Sequence, residues 1–393
     1  MLAKLTLREG RERPVLNGHP WIFSGAVERI EPEDPEPGTL CEVYGHDGSW
    51  LGAGYLNSHS QIICRVVTRQ EGRSWNAELL AERLEQAESL RKRIQPADTD
   101  CLRIVNSEGD GLPGIIVDRY AEGLVVQLTT AGAQVLRQEL KDLLLERFSP
   151  SFIYENSSGT VRLQEGLEEL REPLHGEPQP RLEIREYGHR FLVDILEGQK
   201  TGFYLDQREN RRLAAQWVQK EARVLNLFAY SAAFAVYLAK AGASRVVSVE
   251  SSDKALELAE ENLALAGLSP KDHPLVKADA FEYLRSTDEE YNLIVIDPPP
   301  FAKRSSHVKR ASRAYKDINR LGLQRLAKGG LLFTFSCSGH VGAGLFRQIV
   351  FSAALEAERE VLLMDHLGAG PDHPISIYHP EGEYLTGLLL YAP

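Results

Sequence analysis

The stretch VLNLFAYSAAFAVYLAKAGASRVVSVESSDKALELAEENLALAG, residues 224–267, reads strand, helix, strand, helix. The strands are predicted over 223–228 and 245–250, the helices over 231–241 and 253–266. VLNLF and, further on, LIVID (293–297) are apolar at positions that would face both sides of a sheet. Strands of that kind lie between two helix layers in a parallel sheet. The alternation continues through strands at 274–277, 292–297 and 331–336 and a helix near 312–327. Val361–Asp365 and Tyr384–Tyr391 close the chain as two more strands, expected to form an antiparallel edge across a short connection. Leu182–Arg185 and Phe191–Ile195 flank Gly188 as a hairpin. The expected fold class is therefore α/β, with a Rossmann-like, mostly parallel seven-stranded sheet in residues 179–393.

Upstream the pattern differs. Cys41–Tyr44, Ser49–Leu56 and Gln61–Val67 read as short strands, broken by turns such as EPEDPEPG (31–38). Short strands with regular turn signals predict a small β-barrel over residues 1–70. Leu80, Leu84, Ala87, Leu90 and Ile94 recur at helical spacing, so a helix is expected from about Asn76 to Ile94, with Ser74 as its cap. Strands at Leu102–Val105, Gly114–Asp118 and Leu124–Leu128 and a helix at Ala133–Arg147 make residues 71–178 a central α+β domain. EPLHGEPQP (172–180), with three prolines in nine residues, reads as the linker that ends it.

The length of 393 residues suits two or three domains. The composition excludes disorder, collagen and coiled coil. No run of 18 apolar residues is present, so no membrane-spanning segment is expected, and Met1–Arg13 lacks the apolar core of a signal peptide. Cys41, Cys64, Cys101 and Cys337 include no C-x-x-C pair. That pattern predicts neither a zinc site nor a disulfide scaffold, and points to a reducing cytoplasm. The formal net charge is −11, yet residues 303–328 hold nine Lys/Arg (303, 304, 309, 310, 313, 316, 320, 325, 328) against Asp317 alone. This local +8 leaves −19 for the rest. Phosphate recognition needs a local basic surface, not a basic protein.

In a doubly wound sheet, ligands bind beyond the carboxyl ends of the strands. Those ends read Asn226-Leu227-Phe228-Ala229-Tyr230-Ser231, Glu250, Asp279, Asp297-Pro298-Pro299-Pro300-Phe301 and Ser336-Cys337-Ser338. An acid closing the second strand suits a ribose diol, although an acid there also serves a helix N-terminus. Neither a P-loop nor G-x-G-x-x-G is present, which removes the dehydrogenase reading. A nucleoside cofactor without phosphates fits better. S-adenosyl-L-methionine is the expectation, its cationic sulfonium suited to Asp206, Glu250, Asp279 and Asp297.

N-L-F-A-Y-S, V-E-S-S, A-D-A-F, D-P-P-P-F and F-S-C-S, in that order, resemble a class I S-adenosylmethionine-dependent methyltransferase. More narrowly, GQKTGFYLDQREN (198–210), VNSEGDGLPGIIVDRY (105–120) and NGHPWIFSGAV (17–27) resemble the large-subunit ribosomal RNA cytosine-C5 methyltransferases with an N-terminal PUA domain. The resemblance spans essentially the whole chain. It implies cofactor contacts from Lys200, Thr201, Gly202, Phe203, Asp206, Phe228, Glu250, Asp279 and Asp297. Ala232 stands where such families usually carry glycine, which adds a methyl beside the methionine part of the cofactor.

Cys337 has a chemical reason to sit at a strand end. Carbon-5 of cytosine is too weak a nucleophile to attack a methyl sulfonium until a thiolate has added at carbon-6. Asp297 is expected to steady the ring at its N3 edge. Cys41, Cys64 and Cys101 are expected to be buried small hydrophobes. Other RNA cytosine-C5 methyltransferases carry a second cysteine where this chain has Pro299, so the base that removes the carbon-5 proton is not given by that motif. Water held near Asp297 is one candidate.

His19, Trp21 and Phe23 either stack on unpaired RNA bases or fill the barrel core. The expected partner is large-subunit ribosomal RNA, with no membrane and with a homo-oligomer left open. Two other functions compete. In nitrogen methylation of guanine, Cys337 would be structural. In a non-catalytic ribosome-assembly factor, cofactor occupancy would matter only for structure.

Overall fold

Strand ends decide where a ligand binds in an α/β protein, and here they belong to one seven-stranded sheet. Its strands in chain order are Arg223–Leu227, Arg245–Glu250, Leu275–Lys277, Tyr291–Ile296, Leu326–Ser336, Leu362–Gly368 and Thr386–Ala392. Their spatial order is third, second, first, fourth, fifth, seventh, sixth. The first five pair parallel, and the last two add antiparallel. The order reverses at the first strand, so the crevice for a ligand opens beside its carboxyl end. Leu225, Leu227, Val247, Ile294 and Ile296 are buried in one core with Tyr315 and Ile318 of helix Val308–Gln324 and Phe346 and Val350 of helix Ala343–Glu356. The computed structural model describes residues 2–302 and 304–393.

The chain forms two compact units. The second holds residues 183–194, 204–370 and 383–393, and the first holds the rest: up to Leu182, 195–203 and 371–382. The segments 195–203 and 371–382, assigned to the third domain on sequence grounds, thus group with the first unit.

Within the first unit, Trp21–Phe23, Ile62–Thr68, Trp50–Leu56, Leu40–Tyr44, Ala3–Leu7 and Val27–Glu31 hydrogen-bond in that order. Leu5, Leu7, Ile22, Val43, Val66 and the thiols of Cys41 and Cys64 form their core. A second sheet runs Leu170–His175, Phe152–Ser157, Gly123–Leu128, Ile115–Tyr120, Cys101–Asn106. Helix Ala77–Ile94 packs on it through Leu80, Leu84 and Ala87.

Several sequence expectations need correction. The helix 77–94 is capped by Asn76, whose side chain accepts the Leu79 N–H at 3.0 Å, and not by Ser74. The expected linker 172–180 begins inside an edge strand, Leu170–His175. Pro173 sits opposite Tyr154 there, on an edge strand, the kind of strand that tolerates proline. The helix expected at 133–147 is two, Ala131–Val135 and Arg137–Phe148. The closing strands do pair antiparallel, but residues 369–385 separate them, so their connection is long. The hairpin is Arg181–Glu186 with His189–Asp194. Tyr187 and Gly188, at φ +48° and +77°, form the two-residue turn that matches strand twist.

Candidate functional site

The loop after the first strand is strained. Phe228, Tyr230 and Ala232 have φ of +59°, +45° and +60°, the left-handed region that costs non-glycine residues free energy. Such a conformation persists only where its surroundings over-determine it. Glu250 Oε2 accepts the Tyr230 N–H at 2.9 Å, and the Ala229 N–H reaches the Val249 carbonyl at 3.1 Å. From the other side the fully buried Asn262 donates to the Ser231 carbonyl at 3.1 Å and exchanges two bonds with Leu192. Ala232 occupies a conformation that glycine adopts freely, which accounts physically for a glycine preference at this position.

Glu250 does two things at once. Its Oε1 also takes the N–H groups of Ser251 and Ser252, at 2.8 and 3.0 Å. The Ser251 hydroxyl adds a longer bond to Oε1 at 3.5 Å, so Oε1 is filled and the remaining lone pair belongs to Oε2, which takes only the Tyr230 N–H. Asp279 caps helix Ala280–Ser286, its Oδ1 accepting from Phe281 and Glu282 at 2.9 and 3.1 Å; the carboxylate is exposed. Phe281 approaches Phe301 (ring centroids 6.2 Å apart), and Phe301 meets Phe228 at 6.5 Å and Tyr315 at 4.7 Å. This aromatic group joins the ends of the first, third and fourth strands.

The Cys337 thiol, half-buried just past the fifth strand, donates to the Pro298 carbonyl at 3.3 Å. Its neighbour Ser338 fixes the same loop. The Ser338 hydroxyl accepts the Ala302 N–H at 3.1 Å and pairs with the Tyr315 hydroxyl at 2.9 Å. Cys337 and the loop after Asp297 are thus held together. Asp206 is buried, with Tyr384 donating to its Oδ2 at 2.6 Å.

Tyr204 escaped the sequence reading. Its ring meets Tyr230 edge-on at 5.3 Å. Burial, then the charges of Asp297 and Cys337, hold its phenol well above the usual tyrosine range, with smaller contributions from Tyr230 and Asp206. Tyr204 therefore stays protonated among these groups. Two residues before Asp206 in a quoted motif, it carried a positional signal but no chemical one.

Lys200, Thr201, Gly202 and Phe203 belong to the first unit. Lys200 is exposed and left-handed (φ +54°), and its carbonyl accepts from Asn156 at 3.1 Å. Thr201 and Phe203 are buried.

In the barrel, Trp21 and Phe23 do not fill the core; Ile22 between them does. Phe23 is 46% exposed and Trp21 half-buried, its indole N–H bonded to Glu108 at 2.8 Å. With Arg11, Val15 and His19 they line a cavity of about 260 Å³. The other three cysteines are fully buried.

The basic run divides. Lys316 pairs with Glu356, Arg320 with Asp317 and Arg325 with Asp288. Arg304, Lys309, Arg310, Arg313 and Lys328 are exposed, without an ion pair among the described residues. Lys303 lies outside the described residues.

Residues 122–374 match the family described as S-adenosylmethionine-dependent methyltransferase, and residues 5–69 match the PUA-like domain. The chain belongs to the S-adenosylmethionine-dependent methyltransferases. Among its relatives, a Shewanella denitrificans protein called ribosomal RNA large subunit methyltransferase I is 41% identical over 99% of both chains. A Photobacterium profundum protein of the same name is 41% identical over 100% of both. A Streptococcus mutans protein assigned as an S-adenosylmethionine-dependent methyltransferase shares the fold over 100% of both chains, with a TM-score of 0.85 at 22% identity. Another structure assigned as a methyltransferase, complexed with SAH, gives 0.86 at 22% and equal coverage. The methyltransferase family match begins inside the central α+β module, and S-adenosylmethionine is the cofactor of this family.

The donor set fits that cofactor. Glu250 Oε2 keeps a lone pair and Asp279 an exposed carboxylate, acceptors of the kind that the hydroxyl and amino groups of a nucleoside need.

Proposed function

We propose that this methyltransferase modifies carbon-5 of a cytosine in large-subunit ribosomal RNA, with Cys337 as nucleophile. The observation that carries the proposal is the Cys337 thiol, half-buried at the end of the fifth strand and 3.3 Å from the carbonyl of Pro298 in the D-P-P-P-F loop. A nitrogen methylation needs no thiol there. The names of the relatives support ribosomal RNA of the large subunit as the substrate class.

When bound, S-adenosylmethionine would supply an electrophilic methyl group, with Asp206, Glu250 and Asp279 of the second unit to hold it. Everything else falls to the chain's own residues. The Cys337 thiolate adds to carbon-6, forming an S–C bond and moving the carbon-5–carbon-6 electron pair onto carbon-5. Asp297, having taken the proton of the Cys337 thiol, donates it in a hydrogen bond to N3, steadies the ring while that charge develops and returns the proton when the thiolate leaves. Carbon-5 then takes the methyl, whose old bonding pair stays on sulfur in the departing thioether, and loses its proton. Water held by Asp297 accepts that proton, and expulsion of the thiolate restores the double bond.

Arg304, Lys309, Arg310 and Arg313 follow D-P-P-P-F directly in sequence, where they would meet the backbone of an extruded nucleotide. The Trp21–Phe23 cavity would seat an unpaired base.

Nucleoside analysis of large-subunit RNA from a strain lacking the protein, after treatment with enzyme and cofactor, tests the reaction. Appearance of 5-methylcytosine is the expected result. A methylguanine product would replace this reading with nitrogen methylation, and no new methyl group would favour an assembly factor.

A further inference from the structure

The motif VNSEGDGLPGIIVDRY (105–120) has no role in the chemistry above, yet it is built around the segment expected to hold the cofactor. Arg103 and Asp118 sit directly opposite each other on neighbouring antiparallel strands. The guanidinium grips Asp118 in two-point fashion, Nε to Oδ1 at 2.5 Å and Nη2 to Oδ2 at 3.0 Å. Asp118 is fully buried, so this pairing is what keeps its charge tolerable. Its Oδ2 also accepts the Thr201 hydroxyl at 2.6 Å. With that proton committed, the Tyr120 hydroxyl donates to Thr201 Oγ1 at 2.8 Å and accepts the Phe203 N–H at 3.2 Å. The result is one directed chain: Phe203 N–H, Tyr120 O–H, Thr201 O–H, Asp118 carboxylate, Arg103. Each bond polarises the next. Burial and the nearby Asp118 charge keep Tyr120 protonated, as the chain requires. Asn156 holds the Lys200 carbonyl from a third strand, and the Gly202 N–H closes a turn on Gln199 at 2.9 Å.

We propose that Asp118 and Tyr120, with Arg103 behind them, are positioning residues for the cofactor segment 200–203, and that Thr201 is the anchor of that segment and not a ligand. Thr201 is 1% exposed and its hydroxyl is used twice within the first unit. The other half of the motif does similar work for another segment. Asn106 donates to the Pro374 carbonyl at 2.9 Å, and a side chain at Gly109 would strike that same carbonyl. This inference rests on the reading that residues 200–203 contact S-adenosylmethionine.

Calorimetry of the full-length protein with S-adenosylmethionine separates the two. Tyr120→Phe removes one hydroxyl and leaves the ring in place. It should weaken cofactor binding about tenfold, the scale of one lost hydrogen bond in a buried network. The KM for the cofactor should rise while kcat at saturation holds. Tyr55→Phe deletes an equally buried hydroxyl of the same unit, bonded to Thr130 and Pro113, and should lower the melting temperature without changing cofactor affinity. Thr201→Ser should bind like wild type, and Thr201→Val should bind like Tyr120→Phe. If Tyr120→Phe binds normally while Lys200→Ala binds weakly, the positioning role is overturned and the contact reading stands. If both bind normally, both fall. Equal losses in Tyr120→Phe and Tyr55→Phe would also overturn it, since the effect would then be general destabilisation.

Discussion

At the scale of single residues, Glu250 shows how one side chain ties backbone together at a proposed ligand site. It satisfies three N–H groups that would otherwise be left open at the end of the second strand, and it pins a loop with three left-handed residues. Glu250→Ala should therefore weaken S-adenosylmethionine binding by roughly 1–3 kcal/mol, through lost contact and through release of the Tyr230 loop. Calorimetry giving an unchanged affinity would remove Glu250 from the site. The placement of Glu250, Asp279, Asp297 and Cys337 at strand ends was legible in the sequence, because apolar strands mark their own ends without any knowledge of packing. Tyr204 and Asn262 were not. Their importance comes from partners far along the chain, Asp297 and Cys337 for one, Leu192 and Ser231 for the other. Thr201 was legible as a position but not as a role, because only its burial shows where the hydroxyl goes.

At the scale of elements, apolar strands were read closely: 223–228 is Arg223–Leu227, and 245–250 is Arg245–Glu250. Doubly buried strands leave an unmistakable pattern. Short edge strands such as Val27–Glu31 and Leu170–His175 were missed, since pairing and not periodicity defines them. The helix Val308–Gln324 begins four residues earlier than expected, and the strand after it starts at Leu326, where apolar and basic residues alternate without a clear period. That helix carries the RNA prediction. Its exposed first turns hold Lys309, Arg310 and Arg313 without ion-pair partners among the described residues, whereas Lys316 and Arg320 are neutralised. Reversing the first three to Glu should flatten the log–log salt dependence of RNA binding by about 2, one counterion set per lost phosphate contact. Cofactor affinity should be unchanged. Reversing Lys316 and Arg320 should leave the salt slope near wild type. Filter binding over a salt series reads both, and an unaltered slope in the first variant would make the run a solvated face.

At the scale of the whole molecule, the net charge of −11 conceals a basic segment that follows D-P-P-P-F in sequence. The two units are not contiguous in sequence: the chain passes from one to the other between Phe203 and Tyr204, inside a single quoted motif. Sequence patterning marks domains by composition, so segments that cross over, such as 195–203 and 371–382, were invisible to it. The proposed cytosine-C5 reaction passes through a covalent step, which is where it can be caught. Full-length enzyme, S-adenosylmethionine with a labelled methyl group and large-subunit RNA containing 5-fluorocytosine should form a complex that survives a denaturing gel. Fluorine at carbon-5 cannot leave as a proton does, so the thiolate cannot be expelled. Wild type should give a labelled protein–RNA band, and Cys337→Ser, a near-isosteric change that supplies a far less ionised hydroxyl, should give neither band nor turnover while still binding cofactor. A Cys337→Ser enzyme that methylates its RNA at the wild-type rate would contradict the account.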